Sequence, residues 1–201
     1  NKKNYRTRCS AVLKSKNINF LFDTSPDLRS QLLNNKISNI EYVFYSHMHA
    51  DQTHGINDMR AFFINKKKPI NVYADNVTSK YLKQTFAYCF VQKNNLYPPI
   101  LKLNKLKNIF VFNDSKKKIT IKPIKVKHGD IFSICYIINK KLAYISDVSF
   151  INKKDLKYFK NLDYIILDCL WYRYNPSHLN FEQSLSLLKL LSPKKAILTN
   201  L

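Results

Sequence analysis

Ser46-His47-Met48-His49-Ala50-Asp51-Gln52-Thr53-His54-Gly55 is the stretch from which the rest of this chain can be read. It follows an apolar run that begins at Ile40, and it holds three of the chain's five histidines within eight residues. A polar loop with incidental histidines is the bland reading, and the clustering argues against it. In a sharp strand-to-helix turn, alternate residues such as His47 and His49 can point into one pocket, and Asp51 can join them. Imidazole nitrogens beside a carboxylate suit Zn2+, Mn2+ or Fe. Gly55 closes the run and is one of only two glycines in 201 residues, the other being Gly129 beside His128. A chain so poor in glycine keeps it where the backbone needs positive φ or a close approach.

Outward from this run, apolar alternation predicts strands over Ile18–Asp23, Ile40–Ser46, Ile70–Ala74, Ile119–Val126, Ile131–Ile138, Leu142–Ser146, Asp163–Asp168 and Lys195–Thr199. Helices are expected after Pro26, near Thr53, from Val77 to about Phe90, and over Phe181–Leu191, the last stopped by Pro193. In that last helix Leu185, Leu188 and Leu191 are expected to share a face. Strands in pairs and runs, broken by helices, favour a two-sheet core flanked by helices. His128, Asp147 and Asp168 each stand at the end of an apolar strand, where α/β proteins build their sites. Taken alone, His128 reads as an ordinary surface histidine. Beside His47 and His49, and followed by Gly129, it reads as a ligand.

Composition bounds the rest. Hydrophobic residues at 45% and 13 each of Phe and Tyr describe a chain with a sizeable core and exclude a disordered one. No apolar run approaches the roughly 20 residues of a membrane-spanning helix. The net charge of +21 resembles a nucleic-acid footprint, but only five of the 34 basic residues are Arg. Arg is the residue that planar recognition of phosphates and bases favours, so an anionic small substrate fits the field at least as well. No arm or aromatic-rich basic module stands out to grip RNA. Phosphate-cradling glycine loops are absent. Cys9, Cys89, Cys135 and Cys169 never form a C-x-x-C pair, which excludes a zinc ribbon or thioredoxin-like motif. Three of them sit in apolar surroundings and are expected to be buried free thiols in a reducing compartment. With Asn1 first and no basic-then-apolar leader, the expectation is a piece of a cytoplasmic protein.

The order and spacing of His47-x-His49-x-Asp51, His128-Gly129, Asp147 and His178 resemble the metallo-β-lactamase fold. The closest resemblance is to its phosphoribosyl 1,2-cyclic phosphate phosphodiesterase branch. It extends through Arg6-Thr7-Arg8-Cys9-Ser10, Phe22-Asp23-Thr24-Ser25-Pro26-Asp27-Leu28-Arg29, Gly55-Ile56-Asn57-Asp58-Met59-Arg60 and Tyr144-Ile145-Ser146-Asp147. The resemblance implies a single α/β domain over residues 1–201, a four-layer αββα sandwich truncated at both ends, with one or two Zn2+ or Mn2+ ions. It implies hydrolysis of a cyclic phosphodiester. By the same resemblance His47, His49 and His128 match the first metal's ligands, and Asp147 the carboxylate shared by both metals. Asp51 matches a second-metal ligand that orients the attacking water, and His178 a histidine assisting the leaving group.

Three departures stand out. Gln52 occupies the last position of the family's His-x-His-x-Asp-His pattern, Asn200 follows Thr199 where that family has Thr-His, and its glycine- and cysteine-rich N-terminal segment is missing. Both lost histidines belong to the second metal. Either that site is empty, or His54, three residues after Asp51, helps to rebuild it. The expected activity is therefore metal-dependent phosphodiester hydrolysis on a small anionic substrate. RNA or thioester hydrolysis in the same fold and a non-catalytic metal-binding relative are the alternatives. No membrane partner is expected, nucleic acid is not favoured, and a homodimer is left open.

Overall fold

The computed structural model describes residues 5–91 and 97–201, and the chain divides into two units, Asn1–Leu106 and Lys107–Leu201. The first unit is a five-stranded sheet in the order β1-β2-β3-β4-β5. Its strands are β1 (Ala11–Lys14), β2 (Asn19–Phe22), β3 (Tyr42–Phe44), β4 (Ile70–Ala74) and β5 (Leu101–Lys105). Only β1 and β2 run antiparallel; β2 through β5 are parallel. Helices α1 (Leu28–Asn34), α2 (Ala50–Thr53), α3 (Arg60–Lys66), α4 (Asn76–Thr85) and α5 (Ala87–Phe90) fill the crossovers.

Strand alternation divides the side chains of that sheet between its two faces. Leu21, Val43 and Val72 pack with Leu28, Leu32, Ile56, Met59, Phe62 and Leu82. On the opposite face Phe22 and Tyr73 flank Phe44, at 5.7 and 4.9 Å between ring centroids. The register, with Phe22 opposite Phe44 and Phe44 opposite Tyr73, aligns these rings into a ladder.

The second unit is a six-stranded sheet in the order β11-β10-β9-β8-β7-β6. It comprises β6 (Phe110–Asp114), β7 (Lys117–His128), β8 (Ile131–Ile138), β9 (Leu142–Ile145), β10 (Tyr164–Asp168) and β11 (Lys195–Thr199). Strands β6 to β9 form an antiparallel meander, and β9, β10 and β11 are parallel. One face carries Val126, Cys135, Ile145, Ile165 and Leu167, packed with Phe159, Leu162 and Leu191.

Helix α6 (Phe181–Leu191) starts with a capping box, in which Asn180 and Gln183 each accept from the other's backbone. It ends at Ser192 in the left-handed region, one residue before Pro193. Leu191 is buried and Leu188 packs against the same core, as the leucine spacing suggests, whereas Leu185 is 39% exposed and Ser184 is buried. Ser184 takes the inward position because its hydroxyl donates to the Asp168 carbonyl at 2.8 Å.

Every strand expected from the sequence is present, but β1, β5 and β6 are additional. All three lie at sheet edges. Edge strands are short and carry Lys or Asn, as Leu101-Lys102-Leu103-Asn104-Lys105 does. The helix expected over Val77–Phe90 breaks at Phe86, whose φ of −120° and ψ of 39° separate α4 from α5. Cys89, Cys135 and Cys169 are buried free thiols. Among the described residues, no helix is long and apolar enough to cross a membrane.

Candidate metal centre

In the first unit the histidine run leaves β3 and enters α2, and its base is the buried segment Asp23-Thr24-Ser25. Asp23, with φ of 60°, accepts from the Ser46 backbone N–H at 2.7 Å and so fixes the exit of the strand. The Thr24 backbone N–H donates to the Gln52 carbonyl at 2.8 Å, and Gly55 N–H donates to the Thr24 carbonyl at 2.9 Å. The Thr24 hydroxyl lies 2.8 Å from the Tyr45 hydroxyl, which burial pushes well above its ordinary pKa. Gly55 is required by space rather than by φ: a Cβ there would lie 1.9 Å from the Ser25 carbonyl oxygen.

Held this way, His47 and His49 face each other. Their rings meet edge to face at 4.5 Å, and a ring nitrogen of each lies within 4.8 Å of the other. His47 is buried, and its Nδ1 is 3.0 Å from the Ser46 hydroxyl. His49 has extended backbone at the start of α2 and is exposed. Asp51 is half-buried and accepts from the Gln52 side-chain amide at 3.1 Å. His54 takes another direction. Its Nε2 is 3.0 Å from the Tyr81 hydroxyl and its ring meets the edge of Phe86, so the structure does not group it with the other donors.

The second unit gathers its polar residues at the ends of β7, β9 and β10. One donor atom each from His128, Asp147 and His178 falls within a 4.8 Å cluster. His128 ends β7, and its Nδ1–H donates to the Ser177 carbonyl at 2.6 Å, leaving Nε2 with its lone pair. Gly129, at φ of 58°, turns the chain there; a Cβ would meet the Ser177 hydroxyl oxygen at 2.4 Å. Asp147 follows β9 and is buried. His178 packs edge to face on His128 at 4.7 Å and donates from Nδ1 to Asp168 at 2.9 Å.

Asp168 is the residue whose part the sequence reading left unassigned. It is fully buried, and besides His178 it accepts from the Val148 backbone N–H at 3.0 Å and the Asn200 amide at 3.0 Å. Its place at a strand end was the available signal, but only the fold brings it onto His178. Asn200 also donates to the Ser146 carbonyl at 2.6 Å and lies 3.4 Å from Asp147 Oδ1. Burial, reinforced by Asp147 and Asp168, pushes the Cys135 thiol well above its usual pKa. His128, locked in the tautomer that exposes Nε2, and the Asp147 carboxylate offer donors that fit a borderline divalent cation, with the His178 ring beside them.

Residues 18–199 match the family model of the beta-lactamase superfamily domain. A protein from Porphyromonas gingivalis, named octanoyltransferase, is 27% identical over 200 residues; the match takes in 98% of this chain and 39% of that protein. The chain thus spans well under half the length of that curated relative. Among solved structures, a diphosphatase from the PhnP family aligns with TM-score 0.85 and 26% identity, over 97% of this chain and 73% of that one. The short form of human tRNase Z aligns with TM-score 0.74 and 17% identity, over 98% and 87% of the two chains. Two mixed sheets with their helices, and a family match over nearly the whole length, lead to one assignment: the chain belongs to the beta-lactamase superfamily domain family and has the fold of the metallo-β-lactamase hydrolases.

Proposed function

We propose that this chain is a metal-dependent phosphodiesterase acting on a small cyclic phosphate ester. The observation that carries the reading is the His128–Asp147–His178 cluster, with its fixed His128 tautomer and its buried acid behind His178. His47, His49 and Asp51 would be the first unit's donors to a metal, and His128 and Asp147 would be the second unit's. A bound Zn2+ or Mn2+ supplies charge for the phosphoryl oxygens and lowers the pKa of water. Asp51 orients the attacking water through its carboxylate. His178 delivers a proton from Nε2 to the departing oxygen, while Asp168 holds Nδ1–H and stabilises the charged ring. A reducing, cytoplasmic setting suits four free cysteines.

Measured metal content and hydrolysis of bis(p-nitrophenyl) phosphate test the reading together. His47→Ala and His128→Ala are expected to lose bound metal and activity. His178→Ala keeps the metal and slows turnover by roughly 10²–10⁴-fold, the usual range for general acid catalysis. Unchanged metal content in both of the first two variants would overturn the site assignment. The amides of Gln52 and Asn200, each donating to a carboxylate, favour one second reading: a metal-binding relative without hydrolysis. A metal-loaded protein inert toward the phosphodiester would establish it.

A further inference from the structure

Strand β11 ends its sheet with an apolar interior, Ala196-Ile197-Leu198, and none of its five residues is buried. Ile197 is 57% exposed. Edge strands β5 and β6 are guarded by polar residues, Lys102, Asn104 and Lys105 in the one and Asn113 and Asp114 in the other. Strand β11 has a charge only at its first residue, Lys195, no proline, and an unbroken five-residue register with β10. An apolar edge left in this state is a template for another strand.

The backbone groups on that edge can be named. Lys195 N–H donates to the Asp163 carbonyl at 3.0 Å, and the Thr199 carbonyl accepts from Cys169 N–H at 2.9 Å. Alternate residues of a strand bond to the same side. Lys195, Ile197 and Thr199 therefore face β10, whereas Ala196 and Leu198 direct their N–H and C=O to the open edge. Among the described residues no strand lies there.

We propose that β11 pairs antiparallel with β11 of a second copy of this chain, about a two-fold axis at Ile197. The proposal is independent of the hydrolytic reading. In this register Ala196 and the partner's Leu198 exchange both hydrogen bonds, and Leu198 and the partner's Ala196 do the same, so every open group of the edge is met. Ile197 meets the partner's Ile197 at the close, non-hydrogen-bonded position. Lys195 faces the partner's Thr199, so no like charges are opposed. An axis at Ala196 would need Lys194, whose N–H already donates to the Leu162 carbonyl at 3.0 Å. An axis at Leu198 would need Asn200, which has left the strand with φ of 62°. A foreign strand finds no charge on Ala196-Ile197-Leu198 to select it, whereas the segment complements itself. Five residues a side make a small contact beside the ~800 Å² per partner of a standard interface, and copies of charge +21 repel. The dimer is therefore weak, and salt strengthens it.

Sedimentation equilibrium of the full chain tests the pairing. The apparent mass is expected to rise with concentration from 23.7 kDa toward twice that value, and to rise further at higher salt. Ile197→Lys sets two ammonium groups against each other at the closest pair and is expected to stay monomeric. The position is exposed, so the fold is retained, which circular dichroism checks. Cysteine substitution under diamide oxidation reads the register, against the wild-type chain with its native thiols. Ile197→Cys is expected to give a disulfide-linked dimer, because Cα atoms about 4.5 Å apart lie within the span of a disulfide. Ala196→Cys, two residues out of register with its copy, is expected not to exceed wild type. A mass of 23.7 kDa at every concentration and salt, a dimer that persists in Ile197→Lys, or equal cross-linking of the two cysteine variants overturns the proposal.

Discussion

Asp168→Asn changes one atom of a fully buried carboxylate and tests how the second unit's polar cluster is held. Oδ2 accepts from Val148 N–H and His178 Nδ1–H, and Oδ1 accepts from the Asn200 amide. An asparagine oriented with its oxygen at the Oδ2 position keeps the first two bonds and sets its NH2 against that of Asn200. The opposite orientation loses two bonds instead of one, so the first is preferred. Asn200 cannot rotate its amide to compensate, because its NH2 also donates to the Ser146 carbonyl at 2.6 Å. One buried donor left without an acceptor costs about 1–3 kcal/mol, and weakening the remaining charge-assisted bonds adds about 1 kcal/mol. For a chain of this size, about 2–4 kcal/mol corresponds to a Tm lower by roughly 4–16 °C. Thermal unfolding followed by circular dichroism reads the stability. Turnover reads the second consequence, since a His178 ring without its anion is less able to carry a second proton. A variant that melts within a degree of wild type and turns over at the same rate would refute the reasoning about Asp168.

Gly55→Ala forces a methyl to within 1.9 Å of the Ser25 carbonyl oxygen, a backbone atom, so the floor of the histidine loop must shift. A loss of about 3 kcal/mol in urea unfolding is expected, together with weaker metal binding; wild-type stability would mean that the approach is not tight. Burial, the larger effect, pushes the Cys89 thiol up to about 11 from 9.0. Its contribution to stability is therefore present below pH 9 and lost as pH rises toward 11. Cys89→Ala should flatten the fall of stability across that window by up to about 1.4 kcal/mol per pH unit, and an unchanged slope would refute it. Gln52→His combined with Asn200→His replaces two N–H donors by ring nitrogens, and should raise bound metal by up to one equivalent over wild type. Unchanged stoichiometry by elemental analysis would show that the residues at these two positions do not limit metal loading.

What the sequence made legible follows from burial. Ile70–Ala74, Ile131–Ile138 and Lys195–Thr199 have the bounds their apolar runs predict, and the first two lie inside their sheets with neighbours on both sides. The edge strands β1, β5 and β6 have a strand neighbour on one side only and are four or five residues long, too short to stand out in a reading based on period. Site residues divide in the same way. His47, His49, His128, Asp147 and His178 stand out because rare residue types sit at strand ends. Thr24 and Ser177 act through backbone and hydroxyl contacts with segments distant in sequence, and nothing in their own neighbourhood marks them. His54 shows the opposite error: helical spacing from Asp51 makes it look like a donor, yet its ring is taken up by Tyr81 and Phe86.

Gln52 and Asn200 need the structure most, because the sequence shows only that histidine is missing. A histidine nitrogen gives a lone pair to a cation, whereas an amide N–H gives a proton to an anion. At both positions this reversal of polarity is met by a carboxylate: Gln52 donates to Asp51, and Asn200 to Asp168, with Asp147 Oδ1 at 3.4 Å. A buried carboxylate needs either a cation or hydrogen-bond donors to offset its lost hydration. Here neutral amides supply donors to half-buried Asp51 in the first unit and to buried Asp168 in the second, so neither carboxylate depends on a cation. The two replacements therefore act in the same direction. Restoring only one histidine would leave the other amide still donating to its carboxylate, which is why the paired substitution, and not either single one, is the informative measurement.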